Sequence, residues 1–112
     1  MQYIYYPKCS TCIKGLKYLK DNNINVELRD ITVDTPTKEE LYRWIEIYNE
    51  GIKPFFNTSG KLYREMNIKD CIKTMSIDEA VELLSSIGML IKRPLLIDTN
   101  KVYIGFKGNY DL

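Results

Sequence analysis

The sequence predicts an α/β fold: a small mixed sheet with helices packed around it. Three observations carry this reading. The chain opens with an apolar run, a helical stretch and a second strand-like run between Gln2 and Ile31. It closes with two apolar runs, Pro94 to Ile97 and Val102 to Phe106, joined by a turn. Everything between has helical periodicity or turn chemistry. The order β-α-β, several helices, then β-β describes one layered domain over residues 1–112.

The elements follow in order. Gln2 to Tyr6 (QYIYY) is rich in residues that suit a pleated surface, and Pro7 ends it. Ser10 to Asn22 reads as a helix with Ile13, Leu16 and Leu19 as its apolar stripe. Asn25 to Ile31 alternates apolar and charged residues, as a strand does. With a helix between them the two strands are expected to run parallel, as a right-handed βαβ unit.

Thr37-Lys38-Glu39-Glu40 has the form of a capping box, and Leu41, Trp44, Ile45 and Tyr48 follow at helical spacing, with Gly51 as the expected C-terminal cap. Phe55 to Gly60 reads as a loop, and Lys61 to Thr74 as one or two short helices. A second capping box, Ser76-Ile77-Asp78-Glu79, leads a helix with Ala80, Leu83, Leu84 and Ile87 on one face. Asp98-Thr99-Asn100-Lys101 makes a four-residue hairpin turn.

Composition narrows the function classes. The chain is 112 residues long, 45% hydrophobic and 28% charged, enough for one packed core. Its net charge of +1 gives no footprint for direct nucleic-acid binding. The longest uncharged helical run, Leu83 to Ile91, falls far short of the roughly 20 apolar residues of a membrane span. The start, MQYIYYPKC, lacks the basic and apolar regions of a signal peptide, so a cytoplasmic protein is expected. In a reducing compartment cysteines tend to be reactive or metal-binding rather than structural bridges. The three cysteines fit one working pair, Cys9 and Cys12, plus Cys71.

A helix starting at Ser10 puts Cys9 at its cap and Cys12 one turn in, on the same face. The partial positive charge and open N–H groups of a helix N-terminus favour a thiolate at the cap. A CxxC at a βα junction near the N-terminus is a redox signal, with Cys12 as the natural resolving thiol. A zinc half-site is a competing reading, but a tetrahedral site needs four ligands, and the chain has no histidine and one further thiol. Inert core thiols are the other alternative; a strand-to-helix turn argues against full burial of the pair. Cys71, in KDCIKTM, reads as a core or half-buried residue. Without histidine, activation of Cys9 falls to the helix end and to Lys8, Lys14 or Arg93. The tyrosines Tyr3, Tyr5 and Tyr48 read as packing residues, and Lys14, Lys17 and Lys20 as a solvated helix face.

YYPKCSTC near the start, FFNTSGKLYRE in the middle and KRPLLID followed by KVYIGF near the end resemble the arsenate reductase-like (ArsC/Spx/MgsR) family of the thioredoxin-fold superfamily. The resemblance covers nearly the whole chain. It implies a thioredoxin-like, mixed four-stranded sheet with a helical insertion between the βαβ unit and the C-terminal hairpin, and a cis peptide at Arg93-Pro94 facing the CxxC turn. It also implies Cys9 as nucleophile and Arg93 as an oxyanion-binding arginine, with a second near Lys61 to Arg64. Lys8, Ser10, Thr11, Arg64 and Pro94 then line the substrate or anion site, with no metal. The family's third arginine would fall at Gly105 or Phe106, neither of which is basic. Lysine lacks arginine's bidentate fork.

Two functions follow from the resemblance. One is a thiol-dependent oxidoreductase acting on a small oxyanion or disulfide, with no bound cofactor and with glutathione or a thioredoxin/glutaredoxin-type reductant as co-substrate. The other is a redox-sensing, Spx-like transcriptional regulator that binds the RNA polymerase α subunit. A thioredoxin-fold binding module with relic cysteines is the third reading. The protein is expected to be a monomer.

Overall fold

The computed structural model describes residues 1–112, which divide into two compact units. One is made of the two ends of the chain, Met1–Asp34 and Arg93–Leu112, and the other of the continuous segment Thr35–Lys92.

The first unit carries strand β1 (Gln2–Tyr5), helix α1 (Ser10–Asp21), strand β2 (Glu27–Asp30), and the hairpin strands β3 (Leu95–Ile97) and β4 (Val102–Ile104). The sheet order is β2-β1-β3-β4. β1 runs parallel to β2, with Tyr3 opposite Leu28, and antiparallel to β3, with Tyr3 opposite Leu96. β3 pairs antiparallel with β4, and the Asp98 N–H donates to the Lys101 carbonyl across the turn at 2.9 Å. The expected mixed four-stranded sheet is present, with each strand one to three residues shorter than its apolar run. Tyr3, Leu19, Leu96 and Tyr110 form a buried cluster, joined by Leu16, Tyr18, Ile24, Val26, Tyr103 and Phe106. Tyr3 thus packs as its strand periodicity predicts.

α1 keeps part of its expected inner face and departs from it at Ile13. Its buried residues are Cys12, Gly15 and Leu19, while Ile13 is 58% exposed. Leu19 is buried as expected and Leu16 packs against the core, so Ile13 is the member of the expected stripe that faces outward. The small residues Cys12 and Gly15 face the sheet because helix and strand approach closely there.

The second unit carries α2 (Lys38–Tyr48), α3 (Lys61–Glu65), α4 (Ile68–Cys71) and α5 (Ile77–Ser86), with single 3-10 turns at Lys53–Phe55 and Gly88–Leu90. Both capping boxes are formed. Thr37 Oγ1 accepts the Glu40 N–H at 3.2 Å and Glu40 returns the bond to the Thr37 N–H at 2.9 Å. Ser76 and Glu79 do the same at 3.1 Å each. Tyr42 donates to Asp78, and Lys38 pairs with Glu82, tying α2 to α5 on their exposed sides. α2 ends at Asn49 in the left-handed conformation (φ 55°), two residues before the expected Gly51. Asparagine tolerates that conformation through its short polar side chain. On α5 the buried residues are Ala80, Val81 and Leu84; Leu83 and Ile87 are only half-buried.

Cys71 is exposed, against expectation, and its Sγ makes a local contact with the Ile68 carbonyl at 3.5 Å. α4 is one turn long and buries Ile68 and Ile72 on either side of it, which leaves Cys71 about a quarter turn off the inner face. No helix is long and apolar enough to cross a membrane.

Candidate active site

Pro7 stops β1 from continuing, because it lacks an N–H for the ladder. The chain turns, and the Cys9 N–H donates to the Tyr6 carbonyl at 3.0 Å. Cys9 then sits in extended conformation (φ −91°, ψ 117°) as the N-cap of α1. Its Sγ accepts the Cys12 N–H at 3.3 Å, and its carbonyl accepts the Ile13 N–H at 3.1 Å. A sulfur thus takes the place that a serine or aspartate oxygen usually holds at a cap. The first turn of α1 contains no acidic residue, so nothing there opposes the positive end of the helix.

The two sulfurs differ in environment. Cys9 is half-buried, whereas Cys12 is fully buried. Burial pushes the Cys12 thiol up to about 12, and the neighbouring Cys9 sulfur adds to the shift; the Tyr6 backbone N–H and the Arg93 charge work against it. Cys12 therefore keeps its proton at neutral pH. The cysteines are free thiols.

Arg93 and Pro94 are joined by a cis peptide bond on the loop before β3. Pro94 is buried, and its carbonyl accepts the Gly105 N–H at 2.8 Å, which anchors this loop to the end of β4. The Arg93 guanidinium lies over the Tyr6 ring, 5.2 Å from its centroid. Lys8, Ser10 and Thr11 are exposed around the cap. The unit thus carries Cys9, Cys12, Arg93 and Pro94, with the Arg93 charge acting on Cys12 and Lys8, Ser10 and Thr11 next to Cys9 along the chain. Arg64 belongs to the other unit, exposed in the last turn of α3. Nowhere do three or more His, Cys, Asp or Glu side chains gather as a metal site would require.

Two residues of the site were not legible as such. Tyr6 carries the Arg93 cation–π contact, and Tyr3 donates its buried hydroxyl to the Cys12 carbonyl at 2.6 Å. Both lie in an apolar strand run whose periodicity speaks only of packing. The one sequence signal was Gly15, a helix-interior glycine, which often marks a close approach.

Comparison with known proteins agrees with this geometry. The ArsC family model matches residues 4–110. The uncharacterized protein YusI of Bacillus subtilis is 47% identical over 107 residues, covering 96% of this chain and 91% of that one. The regulatory protein MgsR of the same organism is 34% identical over 101 residues, 90% of this chain and 79% of its own. The crystal structure of a possible arsenate reductase from Streptococcus mutans UA159 superposes with a TM-score of 0.92 at 40% identity, covering 98% of this chain and 93% of that one. A βαβ unit and hairpin that carry a cap cysteine and an Arg-cis-Pro loop, a match over almost the whole length, and these relatives lead to one statement: the chain belongs to the ArsC family.

Proposed function

We propose that the protein is a thiol–disulfide redox protein of the cytoplasm, with Cys9 as nucleophile and Cys12 as resolving thiol. The observation that supports this best is the asymmetry of the pair: a half-buried sulfur at a helix cap, holding the Cys12 N–H, backed by a wholly buried thiol one turn in. In the first step the Cys9 thiolate attacks one sulfur of a disulfide, the S–S bond breaks, and the leaving thiolate departs. In the second, Cys12 gives up its proton and attacks the Cys9 sulfur, which expels the second thiol and leaves a Cys9–Cys12 disulfide. The protein is oxidised by two electrons, and a glutathione or thioredoxin/glutaredoxin-type reductant restores it. Arg93 and Lys8 stabilise the anionic charge that develops, with Ser10, Thr11 and Pro94 shaping the site. Gly105 and Phe106 supply no third cation, which favours a disulfide over arsenate as substrate. Arg64 is the second candidate anion-binding arginine.

The test is turnover of a small disulfide with glutathione by the wild type and by Cys9→Ser. Activity should fall to background in the variant; unchanged turnover would eliminate the mechanism. A second reading, a redox-controlled regulator binding the RNA polymerase α subunit, is favoured by the 34% identity to a protein named as regulatory. Pull-down with the C-terminal domain of that subunit distinguishes it: binding should differ between the dithiol and disulfide forms, and absence of binding in both removes this reading.

A further inference from the structure

Behind the CxxC turn lies a buried hydrogen bond that the steps above do not use. Tyr3 stands on the central strand β1, is wholly buried, and donates its hydroxyl to the Cys12 carbonyl at 2.6 Å. That carbonyl also belongs to the helix ladder, where it serves the N–H four residues on, so Tyr3 takes its second lone pair. Tyr110, the other buried phenol nearby, donates its hydroxyl to the Gly105 carbonyl at 3.1 Å and sits beside the Tyr3 hydroxyl. Tyr3 is therefore the tether between the backbone of Cys12 and the rigid centre of the sheet.

The tether depends on residue 15. A Cβ built on Gly15 would overlap the Tyr3 hydroxyl oxygen and would stand 3.3 Å from Cγ of Phe106. Glycine inside a helix is about 1 kcal/mol less favourable than alanine, and Gly15 is not needed for a left-handed turn, since it lies mid-helix. Its use here is to admit the phenol. Two positions far apart in sequence thus serve one contact to the thiol that closes the disulfide.

We infer that Tyr3 is a positioning residue of the redox site: through its bond to the Cys12 carbonyl, admitted by Gly15, it holds Cys12 in line for attack on the Cys9 sulfur. The inference rests on the redox function proposed above. It makes a kinetic distinction. Capture of a disulfide by Cys9 takes place at the helix cap, whereas the Tyr3 hydroxyl bonds the Cys12 carbonyl one turn in. Closure moves Cys12, whose backbone Tyr3 holds.

The experiment uses glutathione disulfide and the full chain carrying Cys71→Ser, which removes the exposed third thiol. Cys9 attacks glutathione disulfide, releasing one glutathione thiolate and leaving Cys9 in a mixed disulfide. Cys12, losing its proton to solvent, then attacks the Cys9 sulfur and expels the second glutathione. Acid quenching and intact mass resolve both species over time. In Tyr3→Phe, capture should stay within about twofold of the parent, while the mixed disulfide should persist roughly three- to tenfold longer, the loss of one good hydrogen bond. Gly15→Ala should do the same by pushing the phenol away. In the double variant the alanine methyl enters the space the hydroxyl left, 3.4 Å from the ring carbon that carried it, so closure should be no slower than in either single variant. Tyr103→Phe, which removes a hydroxyl bonded to the Asp111 carbonyl at 3.1 Å, should close at the parent rate.

Closure at the parent rate in Tyr3→Phe and Gly15→Ala would overturn the inference while leaving the redox function standing. So would equal slowing of capture and closure, or additive slowing in the double variant, since both describe general loosening. If Tyr3→Phe does not fold, Gly15→Ala alone decides by the same split. A parent protein that forms neither the mixed disulfide nor the Cys9–Cys12 bond would bring down the redox function and this inference together.

Discussion

Replacing Cys12 by alanine should change how the protein responds to alkali. The Cys12 thiol is raised by burial from a free thiol's 9.0 to about 12. Between these values the unfolded chain ionises at this position and the folded chain does not. Each pH unit in that window then favours unfolding by about 1.4 kcal/mol, so stability is intact below pH 9 and is lost as pH rises toward 12. Going from about pH 7 to about pH 10 crosses one unit of the window, so Cys12 should contribute a loss of about 1.4 kcal/mol. The alanine variant starts less stable at every pH because it leaves a small cavity, but that term cancels in the comparison between pH values. Tyr3 and Tyr110 are raised mainly by burial, which acts in both proteins; the smaller contribution of Cys12 to both shifts is absent from the alanine variant. The assay is urea unfolding under reducing conditions at the two pH values. The wild type should lose about 1.4 kcal/mol more than Cys12→Ala. Equal losses in the two proteins would refute the claim that Cys12 is held neutral by its burial.

Other outcomes follow from packing and capping. Thr37→Ala and Ser76→Ala each remove an exposed side chain that caps a helix, and each should cost about 1 kcal/mol in urea unfolding. Leu96→Ala, at a fully buried position on the strand next to β1, should cost roughly 2–5 kcal/mol in the same assay. Native-state alkylation of the reduced protein followed by peptide mapping should label Cys71 and Cys9, with Cys12 modified only when urea is present.

The features legible in the sequence are those decided locally. A capping box closes on itself within four residues, so Thr37–Glu40 and Ser76–Glu79 could be read without knowing what the helices pack against. The Cys9 cap is of the same kind, set by Pro7 on one side and the helical run from Ser10 on the other. Most of the illegible features are decided by which face of an element the rest of the fold selects. Ile13 looks like a core residue until the sheet selects Cys12 and Gly15 for the inner face of α1. Cys71 looks half-buried until Ile68 and Ile72 take the inward positions of a one-turn helix. Tyr6 beneath Arg93 and Tyr3 beneath Cys12 depend on strand pairings and a loop crossing that no periodicity encodes. The helix end at Asn49 rather than Gly51 is a local ambiguity: both residues can adopt the left-handed conformation, and both do, at φ 55° and 78°.

The unit that carries Cys9 and Cys12 is built from both ends of the chain, with Thr35–Lys92 emerging from the ribosome between its halves. That order has a consequence for synthesis. When Ile31 has been made, β1 has its parallel neighbour β2 but a bare second edge, because its other partner, β3, begins only at Leu95. A two-stranded ribbon with one helix is marginal in water, and closing so long a loop carries an entropic cost before any contact repays it. The Cys9–Cys12 turn therefore reaches its finished surroundings only after the whole insertion has been translated. A nascent chain halted before Arg93 would display both sulfurs without the Arg93-Pro94 loop and without Leu96 behind Tyr3, leaving Cys12 open to whatever oxidant or thiol is at hand.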